Sequence, residues 1–183
     1  MTMLPLCARI DADDTRSADA LKADGWREIE VLQTWRSGVR AWRVNKRPYA
    51  RRATHDDFNW IATLAADSFE HDRLHADRSV SREDADRAKG RWAGEAMADP
   101  DREVWVPVDS PDGFLILRGN VIDLVCVRTA GRRKGVAKRL IRSAIAGKRI
   151  ALQAGTQSTN IAAQRLYESL GMEIVRRQVT VHK

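Results

Sequence analysis

The chain has 183 residues, of which 43% are hydrophobic and 31% charged, with six Trp and a net charge of +7. This length and apolar content suit one domain, or one domain with a partial extra unit, and exclude global disorder. No apolar run approaches the roughly 18 residues of a membrane span, and residues 1–8 lack the charged start and long apolar stretch of a signal peptide. A cytoplasmic protein without a membrane partner is therefore expected.

Leu4 to Ile10 reads as a short strand, followed by an Asp-rich turn and a helix over Thr15 to Ala23 that stops at Gly25. Glu28 to Trp35 alternates, with Ile29, Val31, Gln33 and Trp35 on one face and Leu32 and Thr34 on the other, which predicts a strand. Residues 1–46 thus read as a partial strand-helix-strand unit and linker, the link from Arg36 to Arg47 being basic. Residues 47–183 read as the main domain.

A short strand at Tyr49 to Ala53 leads into Thr54-His55-Asp56-Asp57, capping residues for a helix from about Phe58 to Phe69. Glu70 to Val80 is polar and reads as a loop. Ser81 with Asp84 resembles a capping box opening a helix to about Met97, ended by Asp99-Pro100. Glu103 to Val108, Phe114 to Arg118 and Val121 to Val127, separated by turn residues, read as an antiparallel meander. Strand and helix then alternate: a helix from Lys134 to Ala146, a strand from Arg149 to Ala154, a helix from Asn160 to Leu170 and a final strand. The class is α/β (α+β), a mixed, mostly antiparallel central sheet flanked by helices.

The segments Ala20-Leu21-Lys22-Ala23-Asp24-Gly25-Trp26 and Leu166-Tyr167-Glu168-Ser169-Leu170-Gly171-Met172 are alike: each ends a helix, stops at Gly and enters a strand. Two readings are open. The first unit is a reduced copy of the later one, or the arrangement recurs by chance, as it does in α/β chains.

Cys7 and Cys126 imply no disulfide framework, and His55, His71, His75 and His182 lack the spacing that gathers metal ligands, so metal-free chemistry is expected. The positive charge suits an anionic partner such as nucleic acid, an acidic membrane face or a phosphate-bearing small molecule.

The run Val127-Arg128-Thr129-Ala130-Gly131-Arg132-Arg133-Lys134-Gly135-Val136-Ala137 passes from an apolar strand through a basic loop into a helix. Free backbone N–H groups and the positive end of the helix dipole converge there, and small residues let the backbone approach a diphosphate. A solvated basic cap is the plainer alternative. The nucleotide P-loop is excluded, because Gly-Lys is not followed by Ser or Thr in the required place. Further on, Asn160 and Tyr167 lie close to two helical turns apart, roughly 10 Å along the axis, so one helix touches two ends of an extended ligand. Taken singly, they read as a helix cap and a core aromatic.

Together the two segments resemble the GNAT acetyltransferase family, whose acyl-CoA loop reads Arg or Gln-x-x-Gly-x-Gly or Ala and whose later helix reads Asn-x-x-Ala-x-x-x-Tyr before a Leu-Gly stop. Thr129 stands where Pro is common, and Ala137 replaces Gly. The resemblance implies acetyl-CoA as co-substrate and an N-acetyltransferase acting by direct attack of an amine on the thioester. It implies that the N–H groups of Arg132, Arg133, Lys134, Gly135, Val136 and Ala137 cradle the pyrophosphate and that the backbone of Val125, Cys126 and Val127 pairs with the pantetheine arm. It implies further that Asn160 holds that arm and that Tyr167 acts as general acid to the leaving thiolate. Cys126 as nucleophile is disfavoured, since no His stands ready to activate it. Asp123 is one candidate for general base, Glu70, Asp72, His75 and Asp77 are others, and a water chain is the alternative.

The partial first unit, the stretch Phe69-Glu70-His71-Asp72-Arg73-Leu74-His75-Ala76-Asp77 and the helix containing Arg91-Trp92 are similar in layout to bacterial dTDP-fucosamine acetyltransferase and its amino-sugar relatives. This implies a nucleotide-linked amino sugar as acceptor, contacted by Arg73, His75 and Asp77. A protein, peptide or small-amine acceptor is the alternative. A nucleic-acid module is disfavoured, because the arginines cluster in one loop without interleaved aromatics. The expected state is a monomer or homodimer.

Overall fold

The computed structural model describes residues 4–43 and 47–183. In chain order the elements are β1 (Cys7–Asp11), α1 (Thr15–Ala23), β2 (Arg27–Ser37), β3 (Arg40–Ala41), β4 (Ala50–Arg52), α2 (Phe58–Ser68), α3 (Arg73–Ala76) and α4 (Arg82–Ala98). There follow β5 (Glu103–Pro107), β6 (Gly113–Arg118), β7 (Val121–Val127), α5 (Val136–Ala144), β8 (Arg149–Ile150), β9 (Gln153–Gln157), α6 (Ile161–Ser169) and β10 (Met172–His182). Residues 1–3, and residues 44–46 within the basic link, lie outside the described residues. No helix among those described is long and apolar enough to cross a membrane.

Eight strands form one sheet in the order β1-β10-β2-β9-β7-β6-β5-β4, and every neighbouring pair is antiparallel except β7 with β9. The mixed, mostly antiparallel class is therefore observed. Helices α5 and α6 cover one face over Leu115, Leu117, Leu140, Ile141, Leu152 and Leu170. Helices α2 and α4 cover the other over Ile61, Ala65, Val104, Phe114 and Ile116. Alternation along β6 divides its side chains between these two cores, as a strand buried on both faces requires.

The first unit is built into this sheet. Positions 7, 15 and 25 stand at one constant interval from 153, 161 and 171, so β1-α1-Gly-β2 and β9-α6-Gly-β10 match element for element. Asp14 and Asn160 cap the two helices in the same way, accepting from Ser17 N and Ala163 N. Gly25 (φ 82°) and Gly171 (φ 65°) end them in the left-handed region, where a Cβ is costly. The registers Cys7–His182 and Gln153–Arg36 are equivalent under that interval, as are Asp11–Gln178 and Gln157–Leu32. Each unit thus lends its last strand to the other in a pseudo-twofold exchange.

Three boundaries differ from expectation. The polar stretch after Phe69 holds a short helix, α3, because Asp72 accepts from Leu74 N and His75 N. The strand expected over Arg149 to Ala154 is split: β8 pairs with β3, and the sheet strand begins only at Gln153. Ser37 Oγ accepts from Leu152 N at 2.9 Å in the interval, replacing a ladder bond. Helix α5 opens at Val136 rather than Lys134.

Candidate active site

Strands β7 and β9 pair only at Val121–Gln153 and Ile122–Ala154, although β7 runs on to Val127 and β9 to Gln157. Past Ile122 they separate, leaving one backbone edge of β7 without a neighbouring strand. The pairing with β6 passes from Leu117–Ile122 to Ile116–Leu124, so Asp123 is an extra, bulged residue. The bulge reverses the facing of the side chains. Ile122 lies in the core under α5 and α6, whereas Leu124 and Cys126 lie in that under α2 and α4.

After β7 the chain makes a 3₁₀ turn at Thr129–Gly131 and reaches α5 through Gly135, which caps the helix with φ 75°. Helices α1, α3, α4 and α6 are capped by the side chains of Asp14, Asp72, Ser81 and Asn160, but no side chain caps α5. Gly135, Val136 and Ala137 donate no backbone hydrogen bond to another described residue. These N–H groups stand at the positive end of the helix dipole, beside the exposed Arg132, Arg133 and Lys134. Arg133 also has positive φ (63°), a strained conformation for a side-chain-bearing residue. An atom placed as a Cβ on Gly135 meets nothing within 4 Å, so the backbone there is open to a close-approaching group. Such a helix mouth can receive an anion.

Tyr167, on α6, is buried in the same apolar cluster as Val136 at the mouth of α5 and Val125 and Val127 on β7. Its ring packs against Trp35 of β2, with centroids 6.0 Å apart and planes at 54°. The phenol makes no hydrogen bond to a described residue, and burial pushes it above the ordinary tyrosine range, keeping it protonated. Asn160 spends Oδ1 on the cap to Ala163 N (3.1 Å), which leaves its amide nitrogen to donate. Cys126 Sγ lies 3.8 Å from the Leu64 carbonyl, and burial pushes its thiol up, so the inert strand residue is the better description.

Other sequence candidates are turned to structural work. Asp123 accepts from Arg102 Nε (3.1 Å) and from Arg118 Nε and Nη2 (3.3 and 3.4 Å), so both carboxylate oxygens are already engaged by guanidinium groups. It stands here as the shared ion-pair partner of both arginines. His75 Nδ1 and Nε2 each sit 2.8 Å from a carboxylate, of Asp72 and Asp86, with the ring buried. Asp77 and His182 are fully buried against each other at 2.6 Å, and Ser79 and Arg27 donate to the other Asp77 oxygen. Burial alone would raise the Asp77 carboxyl, but the His182 and Ser79 hydrogen bonds outweigh it and hold it at about 2. Arg73 Nη1 lies 3.5 Å from His182 Nε2. His75 and Asp77 pin α3 to α4 and to β10 through these pairs.

The sequence did not reveal that β2 would enter the site. Alternation put Gln33 and Trp35 on one face, but only the strand exchange sets them beside α6. A groove of about 500 Å³, lined by Asn59, Trp60, Thr63, Ser68, Arg128 and Thr129, runs alongside the start of the loop.

The sequence profile of the Acetyltransferase (GNAT) family matches residues 49–172. No curated protein matches the chain. Among solved structures, a GCN5-related N-acetyltransferase from Sphaerobacter thermophilus is similar at 18% identity and TM-score 0.59, covering 98% of this chain and 60% of that one. An acetyltransferase from the GNAT family of Colwellia psychrerythraea gives 13% and 0.59, covering 96% and 64%. A GCN5-related N-acetyltransferase from Kribbella flavida gives 16% and 0.60, covering 98% and 68%. The chain spans less than two thirds of the length of the first two, and at these identities the likeness speaks to fold. The profile covers well over half of the sequence and includes the strand edge, the loop and the tyrosine-bearing helix; the chain belongs to the GNAT acetyltransferase family.

Proposed function

We propose that the protein transfers the acetyl group of acetyl-CoA to a primary amine by direct attack. The observation that carries this reading is the N-terminus of α5, where a glycine stands in place of a side-chain cap beside the unpaired edge of β7. There the N–H groups from Arg133 to Ala137 bind the pyrophosphate, the Arg132 N–H being spent on the Thr129 carbonyl (3.2 Å), and the charges of Arg132, Arg133 and Lys134 help. The free backbone edge at Val125, Cys126 and Val127 takes the pantetheine amides as an added strand would. The Asn160 amide nitrogen donates to the same arm.

A strand N–H on that edge polarises the thioester carbonyl, and Tyr167 gives its phenolic proton to the departing thiolate. The unpartnered phenol supports this role, because it needs to break no protein bond to turn toward the sulfur. A nucleotide-linked amino sugar remains one acceptor to test, but His75 and Asp77, which would have contacted it, point inward. The test is a thiol-release assay with acetyl-CoA and a panel of amino-sugar nucleotides, polyamines and peptides, alongside direct titration with acetyl-CoA. Failure to bind acetyl-CoA refutes the reading.

A further inference from the structure

Strand β2 presents two faces near the point where β7 and β9 part. Gln33 and Trp35 face α6, where Trp35 meets Tyr167. Alternation from Gln33 puts Leu32 and Glu30 on the other face, and Leu32 there reaches over Gly155 of β9. Glu30 lies just beyond the last β2–β9 pair, Leu32–Gln157, at the end of the sheet where β7 has already separated from β9. It is therefore on the face of the sheet opposite the tyrosine-bearing helix.

The Glu30 carboxylate is only half satisfied. Oε1 accepts from Thr180 Oγ1 at 3.2 Å, whereas Oε2 is closed to solvent and has no partner among the described residues. The charged groups that act on it are Arg9 on β1, which favours its ionised form, and Asp72 at the start of α3, which opposes it; the neutral Gln157 amide lies close by. Asp72 is already spoken for by His75 and Lys89 (3.5 Å). A buried carboxylate oxygen with no donor is costly, and a ligand N–H is the natural remedy. Burial pushes the Glu30 carboxyl above the ordinary carboxylate range, which moves it toward the working range of a general base.

We propose that Glu30, brought in on the strand of the N-terminal unit, receives the acceptor as a cationic alkylamine and accepts its proton, directly or through one water. This rests on the acetyltransferase reading. The ammonium gives one proton to Glu30, and the nitrogen lone pair then forms the N–C bond to the thioester carbon. The C–S bond breaks, and the thiolate takes the Tyr167 proton. The surplus proton on nitrogen returns to the phenol through solvent, and Glu30 releases its proton to solvent, so one proton is liberated per turnover. Glu30 and Asp72 together favour acceptors with no anionic group near the amine, such as polyamines, over phosphate-bearing sugars.

The test uses the full chain with acetyl-CoA and spermidine from about pH 5 to 9. Glu30→Gln should bind acetyl-CoA within about 3-fold of the parent, lose about 100-fold in kcat/KM for spermidine and lose the acidic limb of the pH profile. Thr180→Val removes a donor to Glu30 and should move that limb to higher pH, a shift that a purely structural role would not give. Cofactor binding with an unchanged limb in both variants overturns the proposal and leaves the transferase reading standing. So does a parent enzyme that refuses spermidine yet acetylates a nucleotide-linked amino sugar. A parent that does not bind acetyl-CoA overturns both.

Discussion

Gly135→Glu tests the cradle most directly. Gly135 has φ 75° with open space where a Cβ would stand, so the new side chain meets no steric block and two separable effects remain. The first is backbone strain of about 1–2 kcal/mol for a side chain in the left-handed region, or a fall of roughly 2–8 °C in Tm at this size. The second is charge. A carboxylate about 4 Å from a phosphate costs about 4 kcal/mol at an effective dielectric of 20, close to 1000-fold in affinity. Gly25→Glu separates the two, because Gly25 has φ 82°, the same open surroundings and a place far from the loop in sequence, in the matching turn of the N-terminal unit. By calorimetric titration, Gly135→Glu should show no measurable acetyl-CoA binding, whereas Gly25→Glu should melt lower by a similar amount and bind like the parent. Equal affinities in the two variants would refute the cradle.

Tyr167→Phe should leave Tm and acetyl-CoA affinity nearly unchanged, since the phenol holds no hydrogen bond to a described residue, while kcat falls about 100-fold in the thiol-release assay; unchanged turnover would remove Tyr167 from the chemistry. Ser37→Ala should cost about 1–3 kcal/mol in urea unfolding, because the buried Leu152 N–H loses its acceptor. The folded-state pKa of Asp77 is depressed to about 2, so its stabilisation is present above the unfolded value near 4 and is lost as pH falls through the folded one. Unfolding measured at about pH 5 and about pH 2 should differ by about 2 kcal/mol more in the parent than in Asp77→Asn.

Local signals carried much of the fold. Helix α1 lies where the caps and the Gly stop put it, and β7 runs over Val121–Val127 as its apolar run predicts, because capping, turn chemistry and apolar period act within a few residues. The split of Arg149 to Ala154 was hidden, since it depends on Arg40 and Ser37, remote in sequence. The loop and the helix from Asn160 to Tyr167 were legible for the same local reason: a helix mouth and a helix face are fixed by spacing alone.

The sequence by itself thus determined most of the strands and helices, the basic glycine loop that leads into α5 and which phenol shares a helix with Asn160. Only tertiary structure decided what the remaining polar side chains do. It gave Asp123 to Arg102 and Arg118, closed His75 and Asp77 into buried pairs, and slid β2 between β9 and β10 so that Trp35 backs Tyr167 and Glu30 reaches the opposite face. The physical reason is range. Hydrogen-bond periodicity and capping are settled within a turn or two of chain, whereas the charge state and partners of a carboxylate depend on groups that only strand exchange brings near.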